Sequence, residues 1–368
     1  MADKIKVAVI GHTGRGNYGH GIDTVWSHFP QCQLVGVADA DEKGRAEAAR
    51  RLKAPQAFAD YRSMLDEAKP EVVGIGPRWV DQHHDMVIAC AERGIHMYLE
   101  KPLCRTLAEA DAMVAAVEKH DVKLAIAHQT RYSPKLAVVR EMIDDGLLGT
   151  LLELRGRGKE DRRGGGEDLW VLGSHIFNLM HYFGGEPNWC FATVMAGDRL
   201  ATKAEVKPGN EGIGPLVGDN IAAMYGLAGG ATGYFASRRE AGVGAARFGL
   251  QIYGSKGVLE ILTGSLPSVW FLADPNWSPG RSKAAWQPVS SQGLGKPETI
   301  TDSGAEGGNI LAVRDLFTAI AQDRQPECNI YEGRTTMEMI AGVFESHRQE
   351  KPVKIPLENR KNPLEMLS

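Results

Sequence analysis

Several features that would place a protein in a specialised class are scarce in this sequence of 368 residues. Its five cysteines are scattered and form no CxxC pair, which argues against a structural zinc site and against a disulfide framework. Its apolar runs, such as Leu124–Ala127, are far shorter than the roughly 20 residues that a membrane-spanning helix needs. It has no long basic run and a formal net charge of -4, so a nucleic-acid-binding surface is not expected either.

The composition that remains is typical of a globular protein. Apolar residues make up 43% of the chain and charged residues 24%, and the length suits two domains rather than one core. The N-terminal residues Met1–Lys4 lead directly into a strand pattern, without a charged and then apolar leader. The sequence therefore predicts a soluble, cytoplasmic protein with neither a membrane nor a nucleic acid as partner.

The first third of the chain alternates short apolar runs with helical patterns. The runs predicted as strands are 4–10, 33–38, 71–75, 96–99 and 123–127. The segments predicted as helices are 41–53, 81–93 and 106–120, and a short helical pattern after the first strand ends near Pro30. This alternation predicts a parallel sheet with helices on both faces. We expect a doubly wound Rossmann domain over residues 1–128.

After about residue 130 the pattern changes to strands in succession. Strands are predicted at 151–155, 191–195, 221–227, 232–237, 248–253 and 258–262, and helices at 134–145, 168–183, 310–323 and 335–349. The stretch 274–307 is rich in Pro, Ser, Gly and Trp and is predicted to be loop. We expect an α+β domain over residues 129–368 that binds the substrate and carries a large, mostly antiparallel open sheet. The sheet face without helices has to be buried, which favours a homodimer or a homotetramer.

A glycine-rich turn follows the first strand directly. It reads Gly11-His12-Thr13-Gly14-Arg15-Gly16, which is G-x-x-G-x-G rather than the usual G-x-G-x-x-G. Glycines let the backbone turn tightly and approach a pyrophosphate, and the N-terminus of a following helix would offer free N–H donors. Arg15 adds a charge that can contact a phosphate. We therefore expect Gly11, Thr13, Gly14, Arg15 and Gly16 to bind a dinucleotide.

An acid at the end of the second strand selects between the two nicotinamide cofactors. Asp39 stands 39 - 16 = 23 residues beyond Gly16. A carboxylate at this place accepts hydrogen bonds from the adenosine ribose hydroxyls and repels a 2′-phosphate. The sequence thus favours NAD over NADP. Asp41 is the second candidate, but we expect it to cap the following helix.

The tripeptide Glu100-Lys101-Pro102 follows a predicted strand of the first domain. His83, Ala-Glu-Arg-Gly at 91–94, and His96-Met97-Tyr98-Leu99 precede it. With Arg131, Pro134 and the Tyr253-Gly254-Ser255-Lys256-Gly257 hairpin, this pattern resembles the glucose–fructose oxidoreductase / inositol dehydrogenase / rhizopine-catabolism family (Gfo/Idh/MocA) over nearly the whole chain. The resemblance implies an NAD(P)-dependent oxidoreductase acting on CH–OH groups, assembled as a dimer or tetramer. It also implies that Pro77, His83, Glu100 and Lys101 lie at the cofactor.

The resemblance implies a catalytic role for Lys101. In such enzymes the matching lysine lies between the nicotinamide and the substrate hydroxyl, where it polarises that hydroxyl or helps to move its proton. An ammonium group stabilises a developing alkoxide in any such site. The alternative is that Lys101 only pairs with Glu100 or with a surface acid.

The second catalytic motif of the family departs from its pattern here. His175 matches the catalytic histidine, but Val171 and Asn178 stand where the family has aspartates. Asp168 precedes His175 by seven residues, or two helical turns, so we expect both on one helix face, with Asp168 assisting catalysis. The alternative is that Asp168 or Glu167 caps the helix. The segment has no HxxxH or HxxE pair, so no metal site is expected.

Three functions are compatible with these residues. The leading hypothesis is an NAD-dependent dehydrogenase that removes a hydride from a ring hydroxyl carbon of a sugar, a glycoside or a cyclitol. The second is a redox-neutral, NAD-dependent glycosidase of the same family, which oxidises, eliminates, adds water and returns the hydride. The third is a non-catalytic NAD-binding sensor, which the missing aspartates suggest and the retained Lys101 and His175 oppose.

Overall fold

The structure is a computed structural model that describes residues 4–242 and 246–368; Met1–Asp3, part of the segment used to predict localisation, lie outside the described residues. The strands before residue 130 are β1 (Ile5–Ile10), β2 (Cys32–Ala38), β3 (Ala57–Phe58), β4 (Val72–Ile75), β5 (His96–Leu99) and β6 (Leu124–Ile126). The later strands are β7 (Leu151–Arg157), β8 (Pro187–Ala196), β9 (Arg199–Leu200), β10 (Lys207–Pro208), β11 (Pro215–Leu216), β12 (Asn220–Leu227), β13 (Thr232–Arg238), β14 (Gly249–Gly254), β15 (Val258–Leu262), β16 (Ser268–Leu272), β17 (Trp286–Ser290), β18 (Gly293–Leu294) and β19 (Val353–Lys354).

The helices alternate with the strands of the first third and are spaced more widely afterwards. They are α1 (Glu42–Leu52), α2 (Tyr61–Ala68), α3 (His83–Ala91), α4 (Leu107–Lys119), α5 (Pro134–Asp144), α6 (Gly166–Val171), α7 (Gly173–Gly184), α8 (Pro279–Ser282), α9 (Ala305–Gln322) and α10 (Ile330–Gln349). None of these helices is both long and apolar enough to cross a bilayer, within the two described ranges.

The first compact unit contains the chain up to Gln129 together with Asn210–Ile213 and Ala305–Arg334. Its sheet has the strand order β3-β2-β1-β4-β5-β6, and every pair is parallel. The direction of winding reverses between β1 and β4, which is where open α/β sheets bind nucleotides at the carboxyl ends of their strands. The predicted doubly wound Rossmann fold is confirmed.

Helix α9 belongs to this first unit, although the prediction placed everything after residue 128 in the second domain. Phe317 of α9 meets Phe29 edge-on at a centroid distance of 5.4 Å. The buried side chain of Asn309, also on α9, accepts a 2.8 Å hydrogen bond from the hydroxyl of Tyr98. These contacts join residues more than 200 positions apart, so no local pattern could reveal them.

The second unit contains Thr130–Gly209, Gly214–Gly304 and Thr335–Ser368. Its large sheet has the strand order β18-β17-β16-β15-β14-β7-β13-β12-β8-β19, with β9 attached to β8. All pairs are antiparallel except β7 with β13. The buried aromatic side chains of Phe177 on α7 and Phe235 on β13 pack at 4.7 Å, which fixes α7 on one face of the sheet. The expected large, mostly antiparallel sheet is confirmed.

The predicted loop at 274–307 is partly wrong. Strand β17 lies within this stretch and pairs with β16, and neither of these two strands was among the predicted ones. The Pro, Ser and Gly residues around β17 are typical of a loop, so the composition gives no indication of a strand. The strand forms because β16 provides hydrogen-bond partners for its backbone. The helical pattern expected to end near Pro30 is also only a four-residue 3-10 turn at Val25–His28.

The opposite face of the large sheet carries a continuous row of paired side chains. The row runs across eight strands through Phe191, Met224, Tyr234, Arg155, Gln251, Glu260, Trp270 and Pro288. Phe191, Tyr234 and Trp270 are each 37% exposed in the single chain. The face is therefore apolar towards both ends and polar in the middle.

Candidate active site

The glycine-rich turn lies at the carboxyl end of β1 and closes on itself. His12 and Asn17 exchange backbone hydrogen bonds of 2.9 and 3.0 Å, and Gly14 and Gly16 have φ of +82° and +89°. A Cβ added to Gly16 would lie 2.4 Å from the backbone nitrogen of Arg78, so only glycine fits there. The backbone after β4 thus excludes a side chain at Gly16, and contact of the turn with a pyrophosphate stays a prediction.

The prediction that a helix begins directly after this turn is wrong. Turn structure continues to Thr24, where Gly19 and Gly21 have φ of +67° and +86°, and only the short 3-10 turn follows. Left-handed glycines interrupt the helical pattern there. Arg15, predicted to contact a phosphate, forms an ion pair with Asp81. A phosphate at this edge would therefore meet the backbone of the turn rather than a helix N-terminus.

Asp39 ends β2 with a carboxylate that is 1% exposed. It accepts hydrogen bonds from the backbone nitrogen of Thr13 at 3.0 Å, from the Thr13 hydroxyl at 2.7 Å and from the backbone nitrogen of Asp41 at 3.0 Å. It borders a cavity of about 160 Å³ that also contacts Gly11 and Tyr61. Asp41 accepts from the nitrogen of Gly44 at 2.6 Å, so its predicted helix-capping role is confirmed.

Glu100 follows β5 at the same sheet edge and is 1% exposed. Its carboxylate accepts from the backbone nitrogen and the ring Nδ1 of His20, both at 3.0 Å, and from the backbone nitrogen of Lys101 at 3.1 Å. Burial alone would raise the pKa of Glu100, but the His20 hydrogen bonds and the charge of Lys101 outweigh burial and lower it. Lys101 itself is buried beside this carboxylate.

His83 links the two loops that follow β4 and β5. Its Nε2 lies 2.7 Å from the carbonyl oxygen of Pro77, and its Nδ1 lies 2.9 Å from that of Pro102. The imidazole is fully buried. His83 and Pro77, predicted at the cofactor, thus fix the loop that carries Lys101, and their contact with a cofactor stays a prediction.

The helix predicted across Asp168 and His175 is not continuous. It consists of α6 and α7, separated at Leu172, so seven-residue periodicity does not place the two side chains on one face. Gly164 and Gly165 precede α6, Gly166 begins it and Gly173 begins α7, which weakens any long helix here. His175 is half-buried on α7, and its ring meets Phe248 edge-on at a centroid distance of 6.3 Å.

Asp168 lies in α6 with no exposed surface. Its carboxylate accepts from the backbone nitrogens of Lys159 and Glu160 at 3.2 and 3.1 Å and from the hydroxyl of Ser237 at 2.5 Å. Burial raises its pKa, although these three hydrogen bonds act in the opposite direction. The carboxylate therefore anchors the loop between β7 and α6, which favours a structural role over assistance to His175.

Sequence reasoning missed a second buried acid in this loop. Glu160 is 1% exposed and accepts from the guanidinium groups of Arg157 at 2.7 Å and Arg247 at 2.8 Å. The backbone nitrogen of Arg238 also donates to it at 3.1 Å. The sequence signals this acid only through the arginines close to it in the chain. Its partners Arg238 and Arg247 are 78 and 87 residues away, so no local pattern indicates them.

Asn178 lies one turn beyond His175 on α7 and is fully buried. Neither atom of its side-chain amide has a hydrogen-bond partner among the described residues. Buried polar groups are nearly always paired, so this amide has a donor and an acceptor left for a further group. Within the same residues, no three His, Cys, Asp or Glu side chains gather into a metal-binding group.

Comparison with known proteins identifies the family. The model for the oxidoreductase family with an NAD-binding Rossmann fold matches residues 5–128, and the model for the C-terminal alpha/beta domain of that family matches residues 140–355. The chain belongs to the Gfo/Idh/MocA oxidoreductases. It is a member of an oxidoreductase family whose N-terminal domain is an NAD-binding Rossmann fold.

Its relatives include sugar and cyclitol dehydrogenases. Levoglucosan dehydrogenase of Pseudarthrobacter phenanthrenivorans is 26% identical over 348 residues, 87% of this chain and 89% of that protein. The NAD(+)-dependent scyllo-inositol 2-dehydrogenase of Bacillus subtilis is 31% identical over 158 residues, 42% of this chain and 45% of that protein. A solved complex of levoglucosan dehydrogenase with NADH has the same fold, with a TM-score of 0.76 at 22% identity over 96% of this chain and 100% of that chain.

Removing the Ser237 hydroxyl is expected to destabilise the loop between β7 and α6. Ser237 donates to Asp168 and accepts from the backbone nitrogen of Gly165 at 3.0 Å, so Ser237→Ala leaves a buried carboxylate and a buried N–H each short of a partner. We expect the free energy of unfolding to fall by about 1–3 kcal/mol. Urea unfolding measures it, with Ser303→Ala at an exposed position as the matched control. Equal stability of both variants would contradict the anchoring role of Asp168.

Proposed function

We propose that this protein is a dehydrogenase that removes a hydride from a ring hydroxyl carbon of a sugar, a glycoside or a cyclitol. The observation that carries the proposal is Lys101, buried beside the carboxylate of Glu100 at the same sheet edge as the glycine-rich turn and Asp39. The similarity to levoglucosan dehydrogenase and to scyllo-inositol 2-dehydrogenase supports the substrate class.

The residues at this edge fit NAD. Gly14 of the glycine-rich turn has open space where a Cβ would stand, so the backbone there is suited to contact a pyrophosphate. Asp39 faces a cavity at the end of β2, where a carboxylate suits the two ribose hydroxyls and opposes a 2′-phosphate. Bound NAD supplies the hydride acceptor.

The chain supplies the proton chemistry. As the C–H bond of the substrate breaks and its carbon becomes a carbonyl, negative charge grows on the hydroxyl oxygen. The ammonium group of Lys101 is suited to stabilise that charge, and the imidazole of His175 is suited to accept the hydroxyl proton. Asn178, buried with its amide unpaired, is suited to hold a further hydroxyl of a polyol because an amide both donates and accepts.

We also propose that two copies pair through the open face of the large sheet, in a dimer or as part of a tetramer. The exposed Phe191 and Trp270 near opposite ends of the face, with Arg155 and Glu260 between them, form a surface that a symmetric copy can cover. Exposed aromatic side chains gathered on one sheet are a common sign of an interface.

Asp39→Asn is expected to weaken the preference for NAD. The substitution keeps the size of the side chain and one acceptor oxygen for Thr13, loses the acceptor that meets the backbone nitrogen of Asp41, and removes the charge that repels a 2′-phosphate. The ratio of the Kd values for NADP and NAD should fall by at least about tenfold, which is roughly 1.4 kcal/mol. Fluorescence titration with both cofactors measures the ratio, and Asp41→Asn, which preserves a helix cap, should leave it unchanged.

Turnover with a panel of free sugars, cyclitols and aryl glycosides tests the reaction. The wild-type protein with NAD should accumulate NADH without releasing an aglycone. Lys101→Met and His175→Asn should each lower kcat by about 100-fold or more while NAD binding is retained. His181→Asn, a buried histidine elsewhere on α7, serves as the control.

The same assay separates the alternatives. Aglycone release at constant NADH would establish the redox-neutral glycosidase in place of the dehydrogenase. Tight NAD binding without turnover on any compound would instead favour the sensor.

The assembly is tested by sedimentation. The wild-type protein should sediment as a dimer or tetramer, whereas Phe191→Asp and Trp270→Asp should shift it towards monomer because they place charges in the covered face. Met366→Asp, at a side chain that is 42% exposed but outside the row, should not. A monomeric wild-type protein would overturn the proposed assembly.

A further inference from the structure

We propose that His20 is a positioning residue for Lys101: its imidazole holds the carboxylate of Glu100 in place beside Lys101, and Asn309 of α9 holds His20 in turn. All four residues belong to the first compact unit. The inference rests on the proposed reaction, in which the ammonium group of Lys101 meets the oxygen of the substrate.

Donors fix both oxygens of the Glu100 carboxylate. Oε2 accepts from the backbone nitrogen and from the ring Nδ1 of His20, both at 3.0 Å. Oε1 accepts from the backbone nitrogen of Lys101 at 3.1 Å. Hydrogen bonds on both oxygens set the plane of a carboxylate as well as its place. Because one of these donors is the N–H of Lys101, a rotated carboxylate would no longer hold the backbone from which the Lys101 side chain extends.

The contact with His20 also acts on the charge of Glu100. Glu100 is 1% exposed and Lys101 is 7% exposed, and burial opposes the charged form of each group. Burial raises the pKa of Glu100, but the hydrogen bonds from His20 and the charge of Lys101 outweigh it and lower the pKa. An ionised carboxylate in turn favours the ammonium form of a neighbouring lysine. The ammonium form is the one that stabilises a developing alkoxide.

The backbone around His20 is held against Glu100. His20 stands between Gly19 and Gly21, whose φ values are +67° and +86°. A Cβ on Gly19 would lie 2.6 Å from Oε2 of Glu100, so this turn packs directly on the carboxylate. The carbonyl oxygen of His20 accepts a 2.8 Å hydrogen bond from Nδ2 of Asn309. The imidazole therefore reaches Glu100 from a backbone that is fixed on both sides of the residue.

Asn309 joins this turn to the strand that leads to Glu100. The side chain of Asn309 is fully buried, and its Oδ1 accepts from the hydroxyl of Tyr98 and from the amide of Gln129, both at 2.8 Å. Tyr98 lies on β5, two residues before Glu100. The amide thus spends its donor on the turn and its acceptor on the strand, which fixes one relative to the other. Helix α9 in this way takes part in supporting Lys101.

His20→Leu in the full-length protein tests the positioning role, with NAD and the best substrate of the panel. The side chain of His20 is 46% exposed, so we expect the variant to fold. Its kcat should fall by about tenfold or more, whereas KM and the Kd for NAD should change by less than about twofold. His20→Asn, whose amide offers a donor at the same position along the side chain, should restore most of the lost kcat. His28→Leu is the matched control, because His28 is 39% exposed and pairs with Glu306 on α9.

Hydrogen exchange of single backbone amides gives a readout that needs no turnover. The N–H of Lys101 donates to Glu100, so exchange of that amide should become about tenfold faster in His20→Leu and stay unchanged in His28→Leu. Asn309→Asp keeps the acceptor for Tyr98 and loses the donor to His20, and it should speed exchange of the His20 amide in the same way. The His20 variants decide the inference even if the buried charge of Asn309→Asp unfolds the protein.

The two readouts separate this inference from the proposed function. A wild-type protein without turnover on the panel would count against the reaction, and exchange of the Lys101 amide would still show whether His20 holds Glu100. Unchanged exchange in His20→Leu, or unchanged kcat in an active protein, would overturn the inference. A rise in the Kd for NAD as large as the loss of kcat would also overturn it, by assigning His20 to the cofactor. An equal loss of kcat in His20→Asn would do so too, because the donor would then have no part in the effect.

Discussion

Burial of carboxylates at loops next to the sheets is the constraint that organises this protein. A carboxylate removed from water has to be met by donors, or its charge is lost. Asp39, Glu100, Glu160 and Asp168 are each no more than 1% exposed. Each accepts at least one backbone N–H from a neighbouring loop or strand end, so the buried charge and the local backbone conformation stabilise each other. The glycine-rich turn, the loop of Lys101 and the loop before α6 are held in this way.

The regular part of the fold could be predicted because its signal is local. Buried parallel strands are short apolar runs, and their alternation with helices fixes the doubly wound order. The failures have long-range causes. Strand β17 forms against β16 in spite of its Pro and Ser content, and α9 packs on the first unit through contacts such as Phe317 with Phe29. Composition and periodicity carry no information about such partners.

The candidate site shows the same division. Glycines, Asp39 and the Glu100-Lys101 pair could be predicted because a motif fixes their spacing from a strand. The partners that set their chemistry could not, since His20 is 80 residues from Glu100 and Arg247 is 87 residues from Glu160. The continuous helix expected across Asp168 and His175 is wrong because of one backbone feature, the break at Leu172 between α6 and α7.

The residues at the two replaced aspartate positions change the chemistry that this helical segment offers. Helix α7 contains no acidic residue, and Val171 and Asn178 are both uncharged. In the proposed reaction the ammonium group of Lys101 stabilises the negative charge on the substrate oxygen, and this role needs no carboxylate at either position. An amide at 178 adds a donor that a carboxylate lacks, which suits a substrate whose hydroxyls accept as well as donate.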